Sequence, residues 1–250
     1  MDLFFLLAWR DFLVRYRTLV FGVAWAVFRP LGMSLVLLLV FGYSLRLAEN
    51  LYVYFLLIYA GWLVWQFFSS TVSEMSQSLS SNAHLIGRAR FSLIVLPMAT
   101  SVLNVLDFII ALVIGTFLSF YTQGHLEIRF LLILPCFLMM YGITVGTGLL
   151  VCALQTRFRD LACLQPLWMQ ALFCLAPIGY SLKMIPQDIQ GILWFHPLAP
   201  VMEGIRFALL PNHTYSLEVF MMGLIWSVVS LTAGFFVFQA NLDANKERLA

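Results

Sequence analysis

Apolar blocks close to twenty residues long follow one another along this chain, separated by short polar breaks. Crossing about 30 Å of hydrocarbon takes about 20 mostly apolar helical residues. Six stretches reach or approach that length: residues 30–47, 52–70, 93–121, 130–154, 161–182 and 217–239. They predict an all-α integral membrane protein with six transmembrane helices. Residues 183–216 are also apolar, with pieces such as GILWF and VMEGIRFALL, but Pro186, Pro197, Pro200 and Pro211 divide them into lengths too short to cross. A pair of short re-entrant or interfacial helices between the fifth and sixth spans fits this stretch, with protein shielding its irregular backbone.

The first 28 residues carry a different pattern. At about 100° per residue, Arg10, Asp11, Val14, Arg15, Arg17 and Thr18 share one arc, while Trp9, Phe12, Leu13, Tyr16, Leu19 and Val20 fill the other. That suits an amphipathic helix lying flat in the membrane interface. The rival, a first span starting near Leu3, would bury Arg10, Asp11, Arg15 and Arg17. The organisation expected is one transmembrane domain over residues 1–250: an interface helix over about 1–28, spans one to five over 30–182, an outer segment at 183–216, the sixth span at 217–240 and a tail at 241–250.

Composition agrees with the pattern. Apolar residues make up 62% of the chain and charged residues 10%, where a soluble domain carries about 25% charge; the mean hydropathy is +0.93. No Lys or Arg precedes the first apolar run, and Arg10 and Asp11 cut it short, which argues against a cleavable signal. Cys136, Cys152, Cys163 and Cys174 have no CxxC spacing and read as small buried hydrophobes. The four histidines are scattered, with no metal spacing. Orientation follows the positive charges. With both termini inside, Arg10, Arg15, Arg17, Arg29, Arg88, Arg90, Arg157, Arg159, Lys246 and Arg248 collect on the cytoplasmic side, and Arg46, Arg129, Lys183 and Arg206 on the other, ten against four.

Several chemistries leave no trace. There is no G-x-x-x-x-G-K-[ST], so the chain has no ATP-binding P-loop of its own. HExxH, GxSxG and clustered carboxylates are also absent, so hydrolase or protease chemistry has no visible site. Asp107 is the one carboxylate well inside a predicted span. It reads either as a functional intramembrane acid or as one partner of an interhelical hydrogen bond. Secondary transport, which normally needs more titratable groups in the membrane, is disfavoured. Aromatic residues crowd the second span, where Tyr52, Phe55, Tyr59 and Trp62 lie among eight aromatic side chains in seventeen residues. That face reads as packing and interfacial belt, or as a channel lining against which sugar rings stack.

Four blocks carry a family likeness. RDFLVRYRTLVFGVAWAVFRPL (residues 10–31), GWLVWQFFSSTVSEMSQSLSSNAHLI (61–86), RFRDL (157–161) and PIGYSLKMIPQDIQGILWFHPLAPVMEGIRFALL (177–210) follow one another in order. Together they resemble the ABC-transporter permeases that export polysaccharides and polyol phosphates, among them the O-antigen, capsule and teichoic-acid exporters. The resemblance implies a homodimer in the bacterial inner membrane, multi-pass with both termini cytoplasmic, working with two copies of a separate cytoplasmic ATPase. ATP and Mg would be bound by that ATPase and no cofactor by this chain; no nucleic acid is involved. The cargo implied is a glycan on a polyprenyl-diphosphate carrier. Arg10, Arg15 and Arg17 would meet the diphosphate where it enters from the cytoplasmic interface, or else anchor the helix to anionic lipid. The short helices between spans five and six would shape the outer gate.

The same likeness assigns the break between the second and third spans. Asn82 is expected to cap a short helix carrying His84, Leu85 and Ile86, followed by Arg88 and Arg90. This helix would dock on the ATPase together with the turn holding Arg157, Arg159 and Asp160. A polar turn with positive-inside arginines is the plain alternative. The chain departs from the family where Gly87 replaces a basic residue, Ser92 a proline, and His196 an asparagine before Pro-Leu. Two other functions stay open at this point: an ABC permease for a small molecule such as a drug, and a lipid scramblase that needs no ATPase.

Overall fold

A computed structural model describes residues 2–17, 24–44, 50–82, 92–124, 128–180, 195–211 and 213–241. Its elements are α1 (Asp2–Arg17), α2 (Ala24–Leu37, continued by a π-helical turn Leu38–Ser44), α3 (Leu51–Ser81), α4 (Val95–Gln123), a 3₁₀ turn (Ile128–Leu132) running into α5 (Ile133–Arg157), α6 (Asp160–Leu175), α7 (Ala199–Leu209) and α8 (Leu217–Ala240). No strand occurs among the described residues. Five stretches are long and apolar enough to cross a membrane: Ala24–Tyr43, Leu51–Ser81, Val95–Tyr121, Ile128–Arg157 and Leu217–Ala240. The protein is therefore a multi-pass helical membrane protein.

The expected fifth span comes out shorter. α6 has 16 residues, about 24 Å at the helical rise, and ends at Ala176 in extended backbone. Pro177 disfavours helical geometry at the residue before it, which accounts for the stop. The first span begins earlier than expected, at Ala24, and takes Pro30 inside the helix. The hydroxyl of Ser34 donates to the Pro30 carbonyl at 2.7 Å, one turn on.

α3 is the axis of the fold, with two-thirds of its most apolar window buried, more than in any other crossing helix. Leu56, Ile58, Tyr59, Ala60, Val64, Phe68 and Val72 line its packed faces, against α4, α5 and α7. This burial explains the aromatic crowding. Phe67 meets Phe108 edge-on at 5.5 Å, and Phe108 stacks on Phe137 at 5.3 Å. α5 and α8 approach each other through glycine: a Cβ on Gly146 or Gly234 would run into the other helix's backbone.

α7 is the short buried helix expected before the last span. Its 11 residues include ten buried ones, and its second expected partner falls at 181–194, outside the described residues. Arg206 is fully buried. It pairs with Glu203 at 2.8 Å and donates to the carbonyls of Leu57, Pro177, Ile178 and Tyr180. These bonds tie the extended segment after α6 to α3. Gly61 makes the room, since a Cβ there would lie 2.9 Å from Arg206 Nη2.

Candidate functional site

The end of the bundle holding α1, the C-terminal turns of α3, α5 and α8, and the α5–α6 turn gathers most of the candidate residues. Leu79, Cys152 and Phe238 share one buried cluster there, which places those three helix ends together. α1 packs against α4. Its rings form a ladder, with Trp9 stacked on Phe12 at 5.5 Å and Phe12 against Tyr16 at 4.9 Å. Phe5, Leu6, Trp9, Leu13 and Val14 remain exposed, the apolar face that an interfacial helix offers to lipid.

From this helix Arg15 reaches across two others. Its guanidinium pairs with Glu74 of α3 and, at 3.0 Å, with Asp107 of α4, and it donates to Asn104 Oδ1 at 3.1 Å. Each carboxylate has a second donor. Asn104 Nδ2 donates to Glu74 Oε2 at 2.8 Å, and the Tyr16 hydroxyl donates to Asp107. Asp107 thus has the interhelical partners that one of its two readings called for, supplied by α1. Arg10 donates to Asn82 Oδ1 at 3.2 Å. The side chain of Arg17 lies outside the described residues.

A cavity of about 150 Å³ opens beside this cluster, lined by Arg15, Tyr16, Trp25, Arg29, Gln66, Glu74 and Asp107. A narrower pocket shares Arg29, Gln66 and Asp107 and continues past Ser70, whose hydroxyl has no hydrogen-bond partner among the described residues. Arg29 is exposed and makes no ion pair among the described residues. Two guanidinium groups on one cavity suit phosphate oxygens, which planar N–H donors bind in pairs.

Residues 2–210 match the ABC-2 type transporter family. The chain belongs to this family. It is similar, at 28% identity over 92% of its length and 90% of the relative's, to the O-antigen export system permease protein RfbA of Klebsiella pneumoniae. A protein of the same description from Myxococcus xanthus is 24% identical over 96% of the chain and 92% of its own length. The polysialic acid transport protein KpsM of Escherichia coli is 22% identical over 82% of the chain and 80% of its own length.

Within this transporter subunit the other candidates fall as follows. Asn82 ends α3 rather than opening a described helix. Its side chain donates to the Ser78 carbonyl at 2.9 Å, and His84, Leu85, Ile86, Arg88 and Arg90 lie outside the described residues. Arg157, Arg159 and Asp160 are exposed in the α5–α6 turn, with the Arg157 guanidinium over the Phe158 ring at 5.3 Å and Asp160 in the first turn of α6, where a carboxylate complements the helix dipole. Tyr52 donates to the Leu118 carbonyl at 3.1 Å and Trp62 to Gln66 at 2.9 Å; both side chains, like Phe55, are half-buried. Tyr59 is fully buried, and its hydroxyl donates to the Ala111 carbonyl at 2.6 Å.

Three groups escaped sequence reasoning. Glu74 lies 59 positions from Arg15 in the chain, and nothing local marks it as a partner of that residue. Gln165 and Gln155 are buried and bonded at 2.6 Å, and Ser76 of α3 donates to the same Gln165 oxygen at 2.9 Å. This polar knot ties the α5–α6 turn to the end of α3. Glu203 carries both Arg206 and His213, the latter at 2.7 Å. Burial works to raise the Glu203 carboxyl, but the His213 hydrogen bond and the Arg206 charge outweigh it and hold the group below the usual carboxylate range. The spacing of Glu203 and Arg206, three apart on a short helix, was the readable sign of that pair.

Proposed function

We propose that this chain is the membrane-spanning subunit of an ATP-driven exporter that moves a lipid-linked polysaccharide, of the O-antigen or capsule kind, out across the bacterial inner membrane. The observation that carries this reading is the similarity to O-antigen export permeases over nine-tenths of the chain. Two copies would form the conduit, through six spans each with both termini cytoplasmic, and two copies of a separate ATPase would bind ATP and Mg and drive it. The end of the bundle that carries α1 and the α5–α6 turn faces the cytoplasm in this reading. Arg157, Arg159 and Asp160 meet the ATPase there with the segment following Asn82 (His84, Leu85, Ile86, Arg88 and Arg90). The buried Gln155–Gln165–Ser76 contact joins the two ATPase-facing segments, so that movement of one is felt by the other.

The cavity beneath α1 receives the diphosphate of the carrier lipid, with Arg15 and Arg29 as its cationic walls and Arg10 and Arg17 on the approach. Tyr52, Phe55 and Trp62, which keep exposed surface, offer ring faces to the glycan as it passes; Tyr59 holds α3 to α4 behind them. α7 and the neighbouring segment form the outer gate. Co-expression with candidate ABC ATPases, followed by purification in detergent, is expected to yield a complex of two permease and two ATPase chains with the cognate one. Failure to form a stable complex with any ABC ATPase would overturn the reading.

A further inference from the structure

We propose that His213, in the link between α7 and α8, is a positioning residue for the outer gate, acting through Glu203 to keep Arg206 on the carbonyl of Tyr180. The proposal rests on the reading of α7 and its neighbouring segment as that gate. Glu203 uses its two oxygens separately: Oε1 accepts from Arg206 Nη1 at 2.8 Å, and Oε2 meets His213 Nε2 at 2.7 Å. The carboxyl is held below the usual range and is therefore ionised. An ionised carboxylate only accepts, so the His213 ring nitrogen is the donor. Arg206 Nη1 also donates to the Tyr180 carbonyl at 3.0 Å, so Glu203 and Tyr180 share one guanidinium nitrogen. The other two nitrogens hold Leu57, Pro177 and Ile178.

Removing the His213 donor sets Glu203 against Tyr180. A buried carboxylate that loses a donor turns further toward the charge it still has, here Arg206, with which a carboxylate favours two parallel bonds. Nη1 then leaves Tyr180 first, because that carbonyl competes with Glu203 for it. The link is fastened to α7 a second time. The Tyr215 hydroxyl donates to the Pro200 carbonyl at 3.1 Å, and its ring packs on Gly204, where a Cβ would lie 3.2 Å from it. Ser216 then caps α8, accepting from the Val219 N–H at 3.4 Å. A shift of α8 against α7 therefore reaches the segment after α6 through His213, Glu203 and Arg206.

The test follows maleimide labelling of Tyr180→Cys in the assembled exporter, in nanodiscs that leave both faces open to the water-soluble reagent. The same complex without that substitution gives the background from the four native cysteines. His213→Leu is expected to raise the labelling rate about tenfold, the worth of one hydrogen bond to a charged group. His213→Gln supplies an amide N–H in place of Nε2 and is expected to stay within about twofold of the unsubstituted rate, a rescue that loss of packing alone would not give. An unchanged rate in His213→Leu, or equal acceleration in both variants, would overturn the proposal. Should His213→Leu not assemble, Tyr215→Phe carries the measurement, with an expected rise of about threefold; an unchanged rate there would overturn it equally. The gate reading is tested separately with His213 intact. Binding of a non-hydrolysable ATP analogue to the ATPase is expected to change the labelling of Tyr180→Cys, and identical rates with and without nucleotide would refute the gate reading, whatever the His213 variants show.

Discussion

Arg206 is a cation with no exposed surface, and its surroundings account for its place in a hydrophobic bundle. One carboxylate balances the charge, and four backbone carbonyls take the remaining N–H donors. Removing one member of such a pair leaves the other buried and unpaired, at a cost of about 3–5 kcal/mol. Arg206→Leu is therefore expected to abolish or sharply lower the yield of folded protein, measured as the monodisperse fraction on size-exclusion chromatography and as a fall in Tm. Trp62→Ala makes the contrast. It removes a half-buried ring held by Gln66 and packed edge-on to Phe173 at 6.1 Å, and it is expected to lower glycan export while the protein still purifies intact. The three-residue spacing of Glu203 and Arg206 carries a sign of their pairing, but the charge pattern alone counts Arg206 as one more outer-side cation. Arg15 pairs with residues 59 and 92 positions away, a juxtaposition that only the packing of α1, α3 and α4 creates. Asp107 gave the one hint, as an acid where a hydrophobic residue is the rule.

At the scale of elements, hydropathy placed the long helices but misjudged several of their ends, the start of α2 among them. α3 was expected to stop near Ser70 and runs on to Ser81. The extra turns are rich in serine, and Ser78 and Ser80 each bond back to a carbonyl three residues earlier on their own helix. A hydroxyl satisfied in this way is tolerated inside a helix, which a hydropathy scale does not register. α6 stopped early for the opposite reason, an apolar run cut by Pro177. The α5–α8 contact was not anticipated either, although Gly142 and Gly146 are spaced as G-x-x-x-G, a pattern that lets helices in lipid approach closely. Gly234→Val is expected to force the pair apart and destabilise the fold by about 1–3 kcal/mol, read as a lower Tm in detergent; an unchanged Tm would mean that the contact is not maintained. The Gln165 knot makes a separate prediction. Gln165→Leu is expected to leave the complex assembled and hydrolysing ATP but to reduce export per ATP several-fold, measured by parallel hydrolysis and transport assays; full coupling would show that the knot is only structural.

The whole molecule joins a greasy, α3-centred bundle to one charged end. Membrane class and the amphipathic N-terminal helix followed from composition and periodicity, because burial in lipid imposes both. The likeness of four ordered blocks pointed to the family that residues 2–210 match. Which charges neighbour which across helices stayed hidden, since helix faces meet in three dimensions through side chains far apart in sequence. The cavity between α1, α2, α3 and α4 emerged only from that packing, and with it the place of Arg29, which the charge pattern alone counts as one more cytoplasmic cation. The central claim is that this subunit carries a lipid-linked glycan across the membrane when its ATPase turns over. The most direct measurement reconstitutes the permease–ATPase complex in vesicles loaded with a polyprenyl-diphosphate-linked oligosaccharide and follows, after ATP addition, the fraction accessible to a glycosidase on the opposite face. The account predicts an ATP-dependent rise that the Arg15→Gln/Arg29→Gln variant loses while retaining basal hydrolysis. Translocation that proceeds equally without ATP, or none at all from an active complex, would contradict it.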